Sequence, residues 1–160
     1  MTVVTEPPRL GYAPEEIITS EPTRSAKYKW VIVVDSTRPA GLMVNAAACV
    51  AASTGALVDG LIARSGPDAS GYAHPGLPWS GCTVLGGTTG QVAAVRAQAA
   101  ATDGVLVVDM PAVAQSHRVY DDYLAELART DPADLAPCAF SVIGPRNRVD
   151  KMVRKLTLLP

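Results

Sequence analysis

The chain has 160 residues, 48% hydrophobic and only 5% aromatic, with a formal net charge of -1. That is one domain of ordinary size, whose core must be built from Ala, Val, Leu and Ile. The near-neutral balance argues against a nucleic-acid-binding domain, which carries clustered Lys and Arg for phosphate contacts.

The longest apolar run, Leu42 to Ala52, is interrupted by Asn45 and is short for a bilayer span. The N-terminus has no basic stretch followed by an apolar one, so secretion is not expected either. Cys49, Cys82 and Cys138 are far apart, odd in number and set in apolar runs, without CxxC or Cys/His spacing. They are expected as buried, reduced thiols of a cytoplasmic protein with no metal site, no cofactor and no membrane association.

Residues 1–26 carry Pro7, Pro8, Pro14 and Pro22, which predicts an extended N-terminal arm, anchored by Ile17 and Ile18, ahead of one α/β domain over 27–160. Trp30 to Val34, closed by Asp35, has the pattern of a strand covered on both faces. Ser36 or Thr37 offers a cap, Pro39 suits a first helical turn, and Gly41–Thr54 reads as an alanine-rich helix stopped by Gly55. Leu57–Ala63 fits either a short strand or a second helix. Ser65–Gly81, punctuated by seven Gly and Pro residues, is a long loop of the kind that carries function.

Cys82–Gly86 is a second strand. Thr88, with Gln91 three residues on, is a capping box that opens a helix through Val92, Val95 and Ala99. Gly104–Asp109 is a third buried strand, again ending in an acid. Val113, Tyr120, Leu124 and Leu127 mark an amphipathic helix over 112–129 with Asp121, Asp122 and Glu126 outward. Cys138–Ile143 is a fourth strand; Gly144-Pro145 turns it into a last helix carrying Val149, Met152 and Val153. Leu156–Leu159 is an apolar tail that docks.

Several segments together carry a family resemblance. They are Trp30 to Asp35, Gly41 to Ala47, His74 to Trp79, Asp109-Met110-Pro111 with Ala114-Gln115, Tyr120 to Leu124, and Ile143 to Arg146. Over about residues 28–159 the chain resembles the family designated domain of unknown function two-thousand, judged by element order. That family is similar in fold to type II peptidyl-tRNA hydrolases. The resemblance implies a three-layer α/β/α sandwich with a small four-stranded mixed sheet and, beyond the hydrolase order, an extra helix at 112–129. The hydrolase residues carry over incompletely. Leu42 follows Gly41 where those enzymes have lysine, Asn45 falls one residue early for their glutamine, and Ala48 or Cys49 takes the histidine position. Of their Asp-Ala-Gly only Asp109 is kept.

Asp35 and Asp109 both end buried strands. Adjacent and parallel, those strands would bring the two carboxylates to one sheet edge with Asn45, giving an acid/base pair and an orienting amide. The alternative is that each aspartate caps the segment after it, and that Asn45 ties its helix to a loop. His74 and Trp79 in the Pro-rich loop, Gln115 and Arg146 complete the candidate binding set. A Ser116–His117–Asp109 relay fails because adjacent side chains on a helix point apart. Gly86 to Gly90 could hold an anion at a helix N-terminus, although a plain capped turn explains it. Arg146, Arg148, Lys151, Arg154 and Lys155 form a local basic cluster or a solvated helix face.

Two functions are consistent with these residues. One is a non-catalytic binding or assembly protein, with the polar groups satisfied internally and the Leu77–Trp79 loop buried in a homodimer. The other is a small hydrolase acting on an aminoacyl or peptidyl ester such as a tRNA derivative, with Asp109 and Asn45 as its catalytic groups. The ligand would be a small molecule or RNA-derived; the missing enzyme residues favour the first.

Overall fold

The computed structural model describes residues 5–160; residues 1–4 of the expected arm lie outside the described residues. In chain order the elements are β1 (Leu10–Gly11), β2 (Tyr28–Asp35), α1 (Ala40–Leu57), β3 (Val58–Asp59), β4 (Gly66–Pro67), β5 (Ala73–His74), β6 (Cys82–Gly87), α2 (Thr89–Ala100), β7 (Leu106–Pro111), α3 (Tyr120–Leu127), β8 (Pro137–Pro145), α4 (Arg146–Val153) and β9 (Thr157–Leu158). The central sheet runs β7-β8-β2-β6-β9. Strands β2 and β6 are parallel, β8 is antiparallel to β2 and β7, and β9 is antiparallel to β6.

The strand alternation builds the layers. Successive side chains of a strand point to opposite faces. Trp30, Ile32 and Val34 pack with Ala46 and Val50 of α1. Val31 and Val33 pack with Val92 and Ala99 of α2 and Val149 and Met152 of α4. Strand β8 holds both layers together: Phe140, Val142 and Ile143 are wholly buried. Each such side chain stabilises the fold by roughly 1.5–3 kcal/mol, which compensates for the scarcity of aromatics. Under α1, Ser141 Oγ accepts from the Trp30 indole N–H at 2.8 Å and lies 2.7 Å from Thr54 Oγ1.

The structure corrects several expectations, and one is that Gly55 stops the first helix: α1 runs on through it to Leu57. The sheet has five strands, not four, because the apolar tail docks by adding β9 beside β6 through the pairs Leu85–Leu158 and Gly86–Thr157. The predicted helix over 112–129 divides into a 3-10 turn at Ala112–Ser116 and α3. Gln115 is held against the first turns of α1 and the Ser116 hydroxyl bonds back to the Val113 carbonyl, so the chain restarts its helix at Tyr120. Cys138 is buried as expected, but Cys49 and Cys82 are exposed; α1 buries only one stripe, and Cys82 opens its strand at the solvent end. Trp79 is not part of an open apolar loop: it is 8% exposed, stacks edge-on against Tyr12 at 4.8 Å and donates to the Gly60 carbonyl.

Beyond residue 9 the arm is packed, anchored by Ile17 as expected but not by Ile18, whose side chain is exposed. Strand β1 pairs in parallel with β3, which resolves the ambiguous Leu57–Ala63 segment, and Tyr12 is buried. The 65–81 loop folds back on residues 61–63, where a Cβ on Gly76 would lie 1.7 Å from the Ala63 carbonyl oxygen. Helix α1, with 18 residues and a mean hydropathy of 1.5, has the length and apolarity of a membrane span. Its buried residues Ala46, Val50 and Thr54 are those that lie on the sheet.

Candidate functional site

Strands β2 and β7 run in the same direction, but β8 lies between them. Across β8, Asp109 is level with Val33, two residues short of Asp35. Two strand spacings alone put the aspartates about 10 Å apart. That is too far for two carboxylates to share a proton. Alternation turns both toward α2, whereas Asn45 is on α1, across the sheet. The expected Asp35–Asn45–Asp109 constellation does not form.

Each candidate has another partner. Asp35, 2% exposed, accepts from the Thr37 amide at 3.0 Å, the Thr37 hydroxyl at 2.5 Å and the Thr89 hydroxyl at 2.8 Å, with Arg38 Nε 3.6 Å away. Desolvation raises the Asp35 pKa, but the Thr37 and Thr89 bonds outweigh it and hold the carboxyl below its ordinary range. Asp109 is paired with Arg96 Nε at 2.7 Å. Asn45 accepts from Gln115 Nε2 at 3.2 Å, and the same amide donates to the Leu42 carbonyl at 2.9 Å.

His74 belongs to the β4–β5 hairpin. There Asp68 accepts from the Ser70 and Tyr72 amides and the Ser70 hydroxyl, and lies 3.3 Å from His74 Nε2. The Ser70 bonds foremost, with His74, draw the Asp68 carboxyl down to about 2. Arg146 donates to the carbonyls of Arg24 and Ala26, fastening the arm. Of the seven predicted residues, only Asp109 lines the concavity beside edge strand β7.

That concavity is a cleft of about 320 Å³ between α1, edge strand β7 and α3. Cys49 and Ser53 line it from α1, Val108 and Met110 from β7, and His117, Tyr120 and Tyr123 from beyond β7. The Tyr120 and Tyr123 rings meet edge to face at 5.5 Å. Burial pushes the Tyr123 phenol up, with Tyr120 and Asp109 adding to the shift. The result is a mostly apolar seat with a few polar groups, the common form of a small-molecule site. Sequence reasoning missed Ser53, Tyr120 and Tyr123 as site residues. In the sequence Tyr120 marks only the apolar face of a helix, which the break at 117–119 turns into a wall, and no spacing singles out Ser53 or Tyr123. Among the described residues no group of His, Cys, Asp and Glu is placed to hold a metal.

The fold and cleft define a mixed α/β sandwich with an open seat beside its edge strand. The chain belongs to the family described as Protein of unknown function (DUF2000), whose model matches residues 28–160. It is also similar to a solved protein of unknown function from Agrobacterium tumefaciens strain C58, with 13% identity, a TM-score of 0.74, and coverage of 84% of this chain and 98% of that one. That likeness shows the fold. No curated protein matches the chain significantly.

Proposed function

We propose that this is a non-catalytic binding or assembly protein on a type II peptidyl-tRNA hydrolase-like fold, taking a small molecule with an apolar or aromatic body in the α1–β7–α3 cleft. One observation carries the reading. The polar groups needed for hydrolysis are bonded to their own scaffold, while the cleft is lined by Val108, Met110, Tyr120 and Tyr123. The helices beside it also carry exposed apolar side chains, Leu42 at 39% on α1 and Tyr120 at 71% and Leu124 at 44% on α3, of which Tyr120 lines the cleft itself. Exposed apolar groups gathered near one concavity mark interaction surfaces. They support a homodimer formed through this region rather than through the Trp79 loop. A cytoplasmic setting suits three free thiols.

The test is a thermal-shift screen of aromatic and aliphatic fragments against the parent, Tyr123→Ala and Ser53→Trp. A ligand of the folded state raises the melting temperature, and Ser53→Trp fills the cleft from an exposed helix position. Hits that lose their shift in both variants support the reading; hits indifferent to both refute the cleft. Turnover of an aminoacyl or peptidyl ester abolished by Asp109→Asn would replace binding with hydrolysis.

A further inference from the structure

We propose that a second site, the groove between α2 and α4 on the opposite face of the sheet, binds a small phosphate-bearing molecule. The inference starts from an inventory of cations. Lys27, Lys29, Arg38, Arg96 and Arg129 are paired with carboxylates. Arg64, Arg146 and Arg148 donate to a hydroxyl or to backbone carbonyls. Among the described residues this leaves Arg9, Arg24, Arg118, Lys151, Arg154 and Lys155 without an oxygen partner. The last three line one groove of about 300 Å³.

The facing wall supplies Gln91 and Gln98, and the floor is Val95, Met152 and Leu156. The Gln91 carbonyl is occupied by the Thr88 amide at 2.9 Å, so its NH2 remains as a donor. No carboxylate lines the groove. The helix dipole accounts for a cation near the C-terminus of α4. It does not account for a facing wall of amides. Two ammonium groups, a guanidinium fork and amide donors above an apolar floor are the chemistry that grips a phosphate and covers a compact body beside it.

Charge also limits the ligand's size. Arg146 and Arg148, the other half of the basic cluster in the sequence, are spent on the carbonyls of Arg24, Ala26 and Asp103. Asp150, beside Lys151 in sequence, is paired with Lys29, and the chain carries a net charge of -1. Within that basic cluster, the cations left without an oxygen partner are therefore the three that line the groove, a compact set that suits a nucleotide-sized ligand. A polymer needs a continuous basic track.

The test is amide chemical-shift mapping at low ionic strength with AMP, inorganic phosphate, adenosine and a single-stranded oligonucleotide. The expected result is that AMP and phosphate move the amides of residues 91–98 and 151–156 while adenosine does not. In the double variant Lys151→Gln, Lys155→Gln, AMP binding falls about tenfold or more with the melting temperature unchanged, because two charge-assisted contacts are lost at exposed positions. Shifts centred elsewhere, or adenosine matching AMP, would overturn the site. An oligonucleotide that binds more tightly than AMP and spreads its shifts beyond the groove would replace the small ligand with a nucleic acid. None of these outcomes depends on the α1–β7–α3 cleft.

Discussion

Replacing Asp35 with Asn separates a structural carboxylate from a catalytic one. Asp35 is 2% exposed and accepts from two donors on Thr37 and one on Thr89. Asn keeps one carbonyl oxygen for Thr37 at neutral strength, loses the charged acceptor facing Thr89, and places an NH2 near Arg38. With charged hydrogen bonds worth about 1.5–3 kcal/mol and neutral ones about 1, the expected loss is about 2–4 kcal/mol. For a chain of this length that lowers the melting temperature by about 5–15 °C at neutral pH. The folded pKa is depressed below the ordinary 3.8. The contribution is therefore present above that value and is lost as pH falls through the folded pKa. Calorimetric melts should show a constant gap between parent and variant down to about pH 5, closing below about pH 4. A variant as stable as the parent, or more stable, would refute this reasoning. That is the behaviour of a buried carboxylate kept for function against the interest of stability.

Ser141→Ala leaves the buried Trp30 indole N–H without its acceptor and should cost about 1–3 kcal/mol in denaturant melts; tryptophan fluorescence reports the site directly. Gly76→Ala drives a Cβ into the Ala63 carbonyl and should cost about 1–3 kcal/mol, with limited proteolysis opening the 65–81 loop first. Burial pushes the Cys82 thiol up to about 11, so mass spectrometry should find it slow to alkylate at pH 8 although its residue is exposed. Cys49 lines the cleft, and a cleft ligand should protect it from the same reagent.

The main elements were legible because their signals are local. The run ending in Asp35 became β2, the run ending in Asp109 became β7, which continues to Pro111 as a half-buried edge strand rather than a buried one, and the Thr88–Gln91 capping box opens α2 as the spacing predicts. What failed depends on partners distant in sequence. Strand β9 exists only because Leu158 meets Leu85, and Gln115 breaks the 112–129 helix because it reaches Asn45 and Leu42, about seventy residues upstream. Trp79 looks like an interface anchor until Tyr12, on the arm, is seen to cover it. The candidate site suffered most, because strand order was invisible and β8 separates the two acids that sequence reasoning joined.

The same geometry decides against a rebuilt hydrolase site. For Asp35 to face α1, β2 would have to slip by one residue, which turns Val31 and Val33 toward α1 and Trp30, Ile32 and Val34 toward α2. Seven register pairs to β8 and six to β6 oppose that slip, as does the Trp30–Ser141 bond, which exists only in the observed register. Asp109 has no better route, since its alternation matches Val107 and its carboxylate is held by Arg96 on α2. Asn45 and the two aspartates are thus kept apart by the pleat itself, and substituting a single side chain does not reunite them. The only predicted site residue that reaches the α1–β7–α3 cleft is Asp109. Of the cleft's other lining groups, Cys49 and Met110 stand at positions of the hydrolase pattern without its residue types, and the 114–123 segment lies outside that pattern. The Asp35–Asn45–Asp109 constellation therefore has no counterpart in this fold, whatever the cleft holds.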